Sequence, residues 1–477
     1  LIPARSTRRR LSWGLFALCA AILLASGTAT AQTLTTGLDD PLFSSPDPLV
    51  RDHWLGEATE AGAGIVRIPV SWASIAPTQP PNASAAAQPG WPGYNWGRID
   101  GAVRSANAHG LEIMFTANEA PRWAEGADKP ASARVSTWKP DPVAFGEFGK
   151  ALARRYSGGF PDPETPGAKL PRVRFFEAWN EPNLDYFLSP QWHGDQLFAA
   201  GWYRNMLNSF YAGVKAGQPD AKVIAPATAP FGDRPGGSRS PPVLFVRSLF
   251  CMKVGHLKNR GCPARAHLDI FSHHPIDLDR GPNRHTVSPL DVSTLDYNRL
   301  SSIVRQASAT GRVLPAGEKP LWVSELWWDT NPPDSVLGVP LAKQARWIEL
   351  ADYLLWAQGV SVVINLPMVD IPLVPPDYST LQSGIFFVDG TRKPSYQAYR
   401  FPFVTRRLDD RTVLAWGKSP VRGPVRIQRL GPGGWTTVSR LDAVPDQPFQ
   451  VRMAQQSGRA SFRALCDGVA SLPWQQG

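Results

Sequence analysis

Cysteine is scarce in this chain of 477 residues: there are four, with no C-x-x-C pair and no H-E-x-x-H string. A dedicated zinc site therefore has no ligand set to draw on. No G-x-G-x-x-G follows the first apolar run, which removes the dinucleotide fingerprint, and internal repeats and long low-complexity segments are absent. No metal or cofactor is expected. Beyond residue 31 there is no run of Lys and Arg, so nucleic acid is not expected as a partner. Charged residues make up 19% and hydrophobic residues 43%, a balance that excludes a disordered chain and a coiled coil.

Arg8, Arg9 and Arg10 precede an apolar run over 11–25, and Ala29-Thr30-Ala31 ends the segment. A basic region, an apolar region and an A-x-A site have the layout of a secretory signal peptide. Residues 1–31 are thus expected to be removed near Ala31 and the protein to be secreted. The run falls short of the roughly 20 apolar residues a bilayer-spanning helix needs, so no stable membrane insertion is expected after cleavage. The net charge of +10 falls to +6 without this segment, which holds four Arg and no acid. Cys251 and Cys262 bracket a polar loop, and in an exported protein a disulfide between them is expected. Cys466 is then a free, buried thiol.

From about residue 33 to 403, short runs rich in Val, Ile and Phe alternate with amphipathic stretches. Strands are expected at 33–38, 65–70, 112–116, 172–177, 222–225, 268–271, 321–324 and 361–366. Trp347, Ile348, Ala351, Leu354 and Leu355 repeat at the spacing of one helix face, as do Phe145, Phe148, Leu152 and Tyr156. Eight such units predict an α/β fold, a (β/α)8 TIM barrel over 32–403, with long loops at 77–93, 231–242, 274–291 and 367–383 walling a cleft. After residue 403 the period shifts to two. Val425 with Ile427, then Phe449, Val451 and Met453, alternate with polar residues, and Gly431 to Gly434 mark a turn. A small antiparallel, β-sandwich-like accessory domain is expected over 404–477. A monomer is expected.

The strongest local signal is Trp179-Asn180-Glu181-Pro182-Asn183 at the end of the fourth expected strand, matched by Ser324-Glu325-Leu326-Trp327-Trp328 at the end of the seventh. Side chains at strand carboxyl ends point into the mouth of such a barrel. Two carboxylates there, in an aromatic-lined cleft, meet the requirement for cleaving a glycosidic bond. Glu119 and Asp370 also follow strands but lack the flanking pattern. Trp is abundant at 18 residues. Trp347 and Trp356 belong to helix packing, whereas Trp72, Trp123, Trp179, Trp327 and Trp328 fall at strand ends, where an indole face can stack on a sugar ring. At least two of these five are expected to contact sugar, and adjacent Trp327 and Trp328 cannot face the same way.

The W-N-E-P-N string with a strand-terminal Glu three strands later resembles clan A of the glycoside hydrolases, especially families 5 and 39. Arg67 with Trp72 is similar to the clan's R-x-x-x-x-W feature, and Ser383-Gly384 through Lys393-Pro394 resembles its closing segment. The resemblance implies that Glu181 is the general acid/base, Glu325 the nucleophile, and Asn180 the residue that hydrogen-bonds the sugar 2-hydroxyl. It implies a poly- or oligosaccharide substrate, cleaved with net retention. Arg67 would keep Glu325 ionised, or serve as a buried structural ion pair. His274 fits the sixth-strand pattern, but Ile276 stands where the clan has a Tyr that hydrogen-bonds the nucleophile. Its role passes to His273, His274 or a loop Tyr, or is missing. A catalytically silent carbohydrate-binding scaffold and a transglycosylase are the alternatives, and the sugar is left open.

Overall fold

The structure, a computed structural model, describes residues 32–253, 264–278, 280–374, 381–454 and 460–476. The expected signal peptide lies outside these residues, as does Cys262 and with it the expected disulfide. Eight β/α units follow one another. The strands are β1 (Thr35–Asp39), β2 (Ile65–Ser71), β3 (Glu112–Asn118), β4 (Phe175–Ala178), β5 (Lys222–Thr228), β6 (Ile270–His273), β7 (Leu321–Leu326) and β8 (Val360–Asn365). After them in turn come α1 (Pro48–Glu60), α2 (Gly97–Ala108), α3 (Pro142–Arg155), α4 (Ala199–Gly217), α5 (Pro242–Leu249), α6 (Asn298–Ala309), α7 (Leu341–Ala357) and α8 (Pro394–Arg400). Asp47 and Asp141 cap α1 and α3, each followed by Pro at the first helical position, where a missing N–H costs nothing.

All eight expected strands are present, and each is parallel to its neighbours in a closed ring, with Thr35 of β1 beside Val362 of β8 completing it. The chain is therefore an eight-stranded barrel, as expected. Strands β3, β5, β6 and β7 run two or three residues past their expected ends, because polar and small residues there interrupt the apolar pattern. Inside the ring, Ile65, Met114, Phe175, Ile224, Ile270, Trp322, Val362 and Ile364 form one apolar layer. Gly37 of β1 makes room for it: a Cβ there would sit 2.6 Å from Ile65 Cγ2. This layer is the floor of the cleft.

The carboxy-terminal part is all β, as expected, and begins with β9 (Phe403–Arg407). It continues through β10 (Thr412–Gly417), β11 (Gly423–Gly431), β12 (Gly434–Ala443), β13 (Phe449–Ala454) and β14 (Ser461–Cys466). The order β9-β10-β13 makes a three-stranded sheet; β12-β11-β14 with two short end segments makes a second sheet. Trp416 of β10 is fully buried against Tyr353 and Trp356 of α7, so this unit packs on the barrel. Lys418 Nζ donates to Thr36 Oγ1 of β1 at 2.9 Å across the same junction. Cys466 is a buried free thiol. No helix of the described residues is long and apolar enough to cross a membrane.

The junction also encloses Asp352 of α7, neither of whose carboxylate oxygens has a hydrogen-bond partner among the described residues. Burial pushes its pKa up to about 7, against the attraction of Lys418. The folded state thus holds a proton that the unfolded chain gives up in the ordinary carboxyl range. The stabilisation is complete below about pH 4 and is lost as pH rises through about 7, each pH step between those limits removing roughly 1.4 kcal/mol. Thermal unfolding between pH 4 and 7 should show a falling Tm, and Asp352→Asn should flatten that slope. An unchanged slope would remove Asp352 from the account.

Candidate active site

Two residues beyond the apolar layer, toward the carboxyl ends, the inward positions turn polar. Asp39 follows Gly37 on β1, Arg67 follows Ile65, Thr116 follows Met114, Glu177 follows Phe175, Ser272 follows Ile270 and Ser324 follows Trp322. Period-two alternation alone delivers this ring. Two bulges then add to it. Between Val323 and Leu326 the register of β7 against β8 slips by one, so Ser324 and Glu325 both reach the interior. Between Pro226 and Thr228 of β5 a second slip leaves Ala227 at φ 51°. The Ala227 carbonyl accepts the Glu181 N–H at 3.0 Å, fixing the loop after β4.

That loop holds two more non-glycine residues in the left-handed region, Trp179 at φ 75° and Glu181 at φ 38°. Such conformations cost about 1–3 kcal/mol each and persist only where the surroundings enforce them. Here they turn the Trp179 ring outward, where Nε1 donates to Phe187 O at 2.9 Å, while Asn180 and Glu181 enter the cleft. Asn183 pins the loop from below, donating to Ala229 O and Ser240 O and accepting from the Ala229 N–H.

Arg67 is the hub. Its Nη1 donates to Glu325 Oε1 at 2.6 Å and to Asp39 Oδ2 at 2.8 Å. Its Nη2 donates to Asn180 Oδ1 at 2.6 Å and Glu177 Oε2 at 3.1 Å, and its Nε to Thr116 Oγ1 at 2.8 Å. A guanidinium has only donors, so the Asn180 carbonyl must face Arg67. The Asn180 NH2 group is thereby left without a partner among the described residues, beside the cleft. On the other side His274 is fully buried, with Nδ1 2.9 Å from Glu181 Oε1 and 3.5 Å from Glu325 Oε2. Its Nε2 lies 3.0 Å from Ser324 Oγ, which in turn meets Ser272 Oγ at 2.6 Å. His274 thus stands where a donor to Glu325 was sought, and buried Ile276 offers none.

Glu181, His274 and Glu325 each bring a ligand-capable atom within 4.8 Å of the others. These three could surround a divalent ion, but the His274 nitrogen facing the cleft is already engaged with Glu181, which makes the trio a proton-sharing group. Burial raises the Glu181 pKa; His274 pulls it back, and the Glu325 charge adds to the rise. Burial alone would lower the His274 pKa, yet Glu325 and Glu181 outweigh it and the net shift is upward. Asp39 is pushed up to about 7 by burial, against the pull of Arg67. Arg67 itself is held charged: burial opposes its proton, and Glu325, Glu177 and Asp39 more than restore it.

The aromatic expectations divide. Trp72, Trp179 and Trp328 are at most 1% exposed. Trp72 stacks on Phe148, Trp179 meets Phe145 edge-on, and Trp328 packs against Trp347 while donating to Asp277 O. With no face left for a ligand, these three are packing residues, which corrects the expectation that they line the cleft. Trp123 and Trp327 are half-buried, and Trp123 donates to Ala76 O. Trp327 and Trp328 lie past the end of β7, so strand alternation does not govern them; Trp328 is buried and Trp327 half-buried.

His273 points away from the cleft, between Thr228 Oγ1 and Val292 O, with its pKa lowered to about 3 by burial. Asp370 is locked to Lys393 at 2.7 Å with neither side chain exposed. Glu119 is exposed on the rim of a cavity of about 670 Å³ that Pro69, Ser71, Asn118 and Arg98 also line, beside the inward positions of β2 and β3. Asp39, Thr116, Glu177, Ser272 and Ser324 were not anticipated. Their signal is the polar residue two places after an inward apolar one on consecutive strands.

No protein-family model matches the chain, and no curated protein matches it in sequence. Solved structures do. A family 39 glycoside hydrolase from Bacteroides cellulosilyticus WH2 superposes with a TM-score of 0.54 at 17% identity, covering 89% of this chain and 81% of that one. A monomeric β-xylosidase from Caulobacter crescentus CB15 gives 0.49 at 17% identity over 88% and 94%, and GH5_18 from Streptomyces cattleya, solved with GlcNAc, gives 0.45 at 15% over 78% and 80%. At these identities the likeness is one of fold: the chain has the eight-stranded parallel barrel found in the Bacteroides family 39 glycoside hydrolase.

Proposed function

We propose that the protein is a secreted retaining glycoside hydrolase that cleaves O-glycosidic bonds in a poly- or oligosaccharide by double displacement. The observation that carries this reading is the pair of carboxylates, Glu181 and Glu325, with oxygens within 4.8 Å of each other at the mouth of the barrel. Retaining enzymes hold their carboxyls about 5–5.5 Å apart, and inverting ones about 6.5–9.5 Å to admit a water between. The environments support a division of roles. Glu325, bound to the fixed charge of Arg67, attacks the anomeric carbon; Glu181, whose hold on a proton burial strengthens, donates it to the departing oxygen. The bond to the leaving group breaks as the Glu325 ester forms. Glu181, now ionised, removes a proton from water, and the hydroxide oxygen displaces Glu325 from the sugar.

His274 bridges the two carboxylates and steadies Glu181 in its ionised form between the steps. The free Asn180 amide supports a hydrogen bond to a sugar hydroxyl beside the anomeric carbon, and half-buried Trp327 supports a stacking contact. The half-buried acid set beside a guanidinium-bound carboxylate favours this reading over a silent scaffold. The test is incubation with a panel of activated 2-fluoro glycosides followed by mass spectrometry of the labelled peptide. A label on Glu325 is expected and would identify the sugar. A label on another carboxylate, or none with any sugar, would overturn the reading.

A further inference from the structure

The net charge of residues 32–477 is carried entirely by the last 74 residues. Positions 404–477 hold ten Arg and one Lys against five Asp and no Glu, a net of +6, whereas 32–403 balance to zero. The outward face of the second β sheet gathers much of this charge. Arg426 of β11 lies directly opposite Arg440 of β12, and both are exposed. Like charges at opposed strand positions are destabilising, so the fold alone gives no reason for the pair.

Arg463 of β14 shares that face. Its guanidinium lies 4.4 Å over the half-buried Trp435 ring, and its Nε donates to Gln428 Oε1 at 2.8 Å. Among the described residues none of these three arginines makes an ion pair. The ion pairs of this unit, among those same residues, are Arg407 with Asp410, and Lys418 with Asp446. Asp442, on the same face as Arg440, pairs with neither arginine.

We propose that this face, the opposed Arg426 and Arg440 with Arg463 and Trp435 farther along the same strands, binds an anionic polysaccharide. Guanidinium forks match carboxylate or sulfate groups bidentately, and the indole edge left beside Arg463 adds apolar area at one end of the row. Strand spacing of about 4.8 Å puts Arg426 and Arg440 in reach of successive anionic groups on one extended chain. The choice of a carbohydrate over other polyanions rests on the proposed function. The surface lies outside the barrel cleft, so it acts on attachment and leaves the chemistry to Glu181 and Glu325.

The test is native affinity electrophoresis of the protein through gels containing polygalacturonate, carboxymethyl dextran or neutral dextran. Calf-thymus DNA and phosphatidylglycerol vesicles serve as rival polyanions. Retardation by the two anionic polysaccharides, absent with neutral dextran and weakened by salt, is expected. In R426S/R440S/R463S it should fall at least tenfold, and R426S/R440S, which removes only the two exposed side chains, should also lose binding with Tm unchanged. No retardation, retardation equal in the triple variant, or tighter binding to DNA or vesicles would overturn the proposal. Catalysis plays no part in this measurement, so 2-fluoro labelling decides the hydrolase reading separately.

Discussion

Glu325→Ala should lower kcat on aryl glycosides by on the order of 10⁵-fold, the scale seen when a covalent catalyst loses its nucleophile. That is about 7 kcal/mol of barrel-mouth chemistry resting on one side chain. The fold should survive, because Arg67 keeps Asp39 and Glu177 as partners and the truncated side chain leaves one fewer buried acid. It also leaves a small polar opening beside the guanidinium and His274. Azide can occupy it and attack the anomeric carbon in place of the carboxylate. Rescue should give a glycosyl azide of inverted configuration, read by proton NMR. Near-native turnover without azide would remove Glu325 from the reaction, and a retained configuration in the azide would assign the nucleophile elsewhere.

Arg67→Met should act on stability instead, and heavily. The substitution approximates the volume of the stem but strands Asp39, Glu177 and Glu325 around a neutral side chain. Removing one partner from a buried ionic group costs about 3–5 kcal/mol, chiefly because the remaining charge is uncompensated. Urea unfolding at pH 7 should show a loss of that order. Arg67→Lys should recover little, since an ammonium cannot reach Thr116, Glu177, Asp39, Glu325 and Asn180 from one point. Adding Glu177→Gln and Asp39→Asn to the Met variant should restore part of the loss. Unfolding curves that coincide with those of the parent protein would show the guanidinium to be dispensable to the fold.

Most of the barrel could be read from the sequence because each strand is a short apolar run bounded by a helix with its own period. The same property hid part of the site. Barrel strands are buried on both faces, so alternation does not reveal which face is the interior. Only with the inward parity known do Asp39, Thr116, Glu177, Ser272 and Ser324 stand out as one polar ring. Glu181 and Glu325 were found because the residues around them form a pattern independent of parity. The tryptophans were harder. A place at a strand end sets height in the barrel but not direction, and at Trp179 a left-handed backbone turns the ring outward. For Trp72 the neighbours Phe145 and Phe148 come from α3, far along the chain, and nothing local announces them.

The slip in β7 has a geometric consequence. A regular strand alternates, so of any two consecutive residues it presents one to the interior. By inserting one residue, β7 presents two: Ser324 reaches sideways to His274 and Glu325 reaches across to Arg67. The barrel gains an interior position without widening, and one strand supplies both the carboxylate that meets Arg67 and the hydroxyl that meets His274. A single-residue deletion between Val323 and Leu326 would therefore erase a vertex of the site while leaving every strand in place.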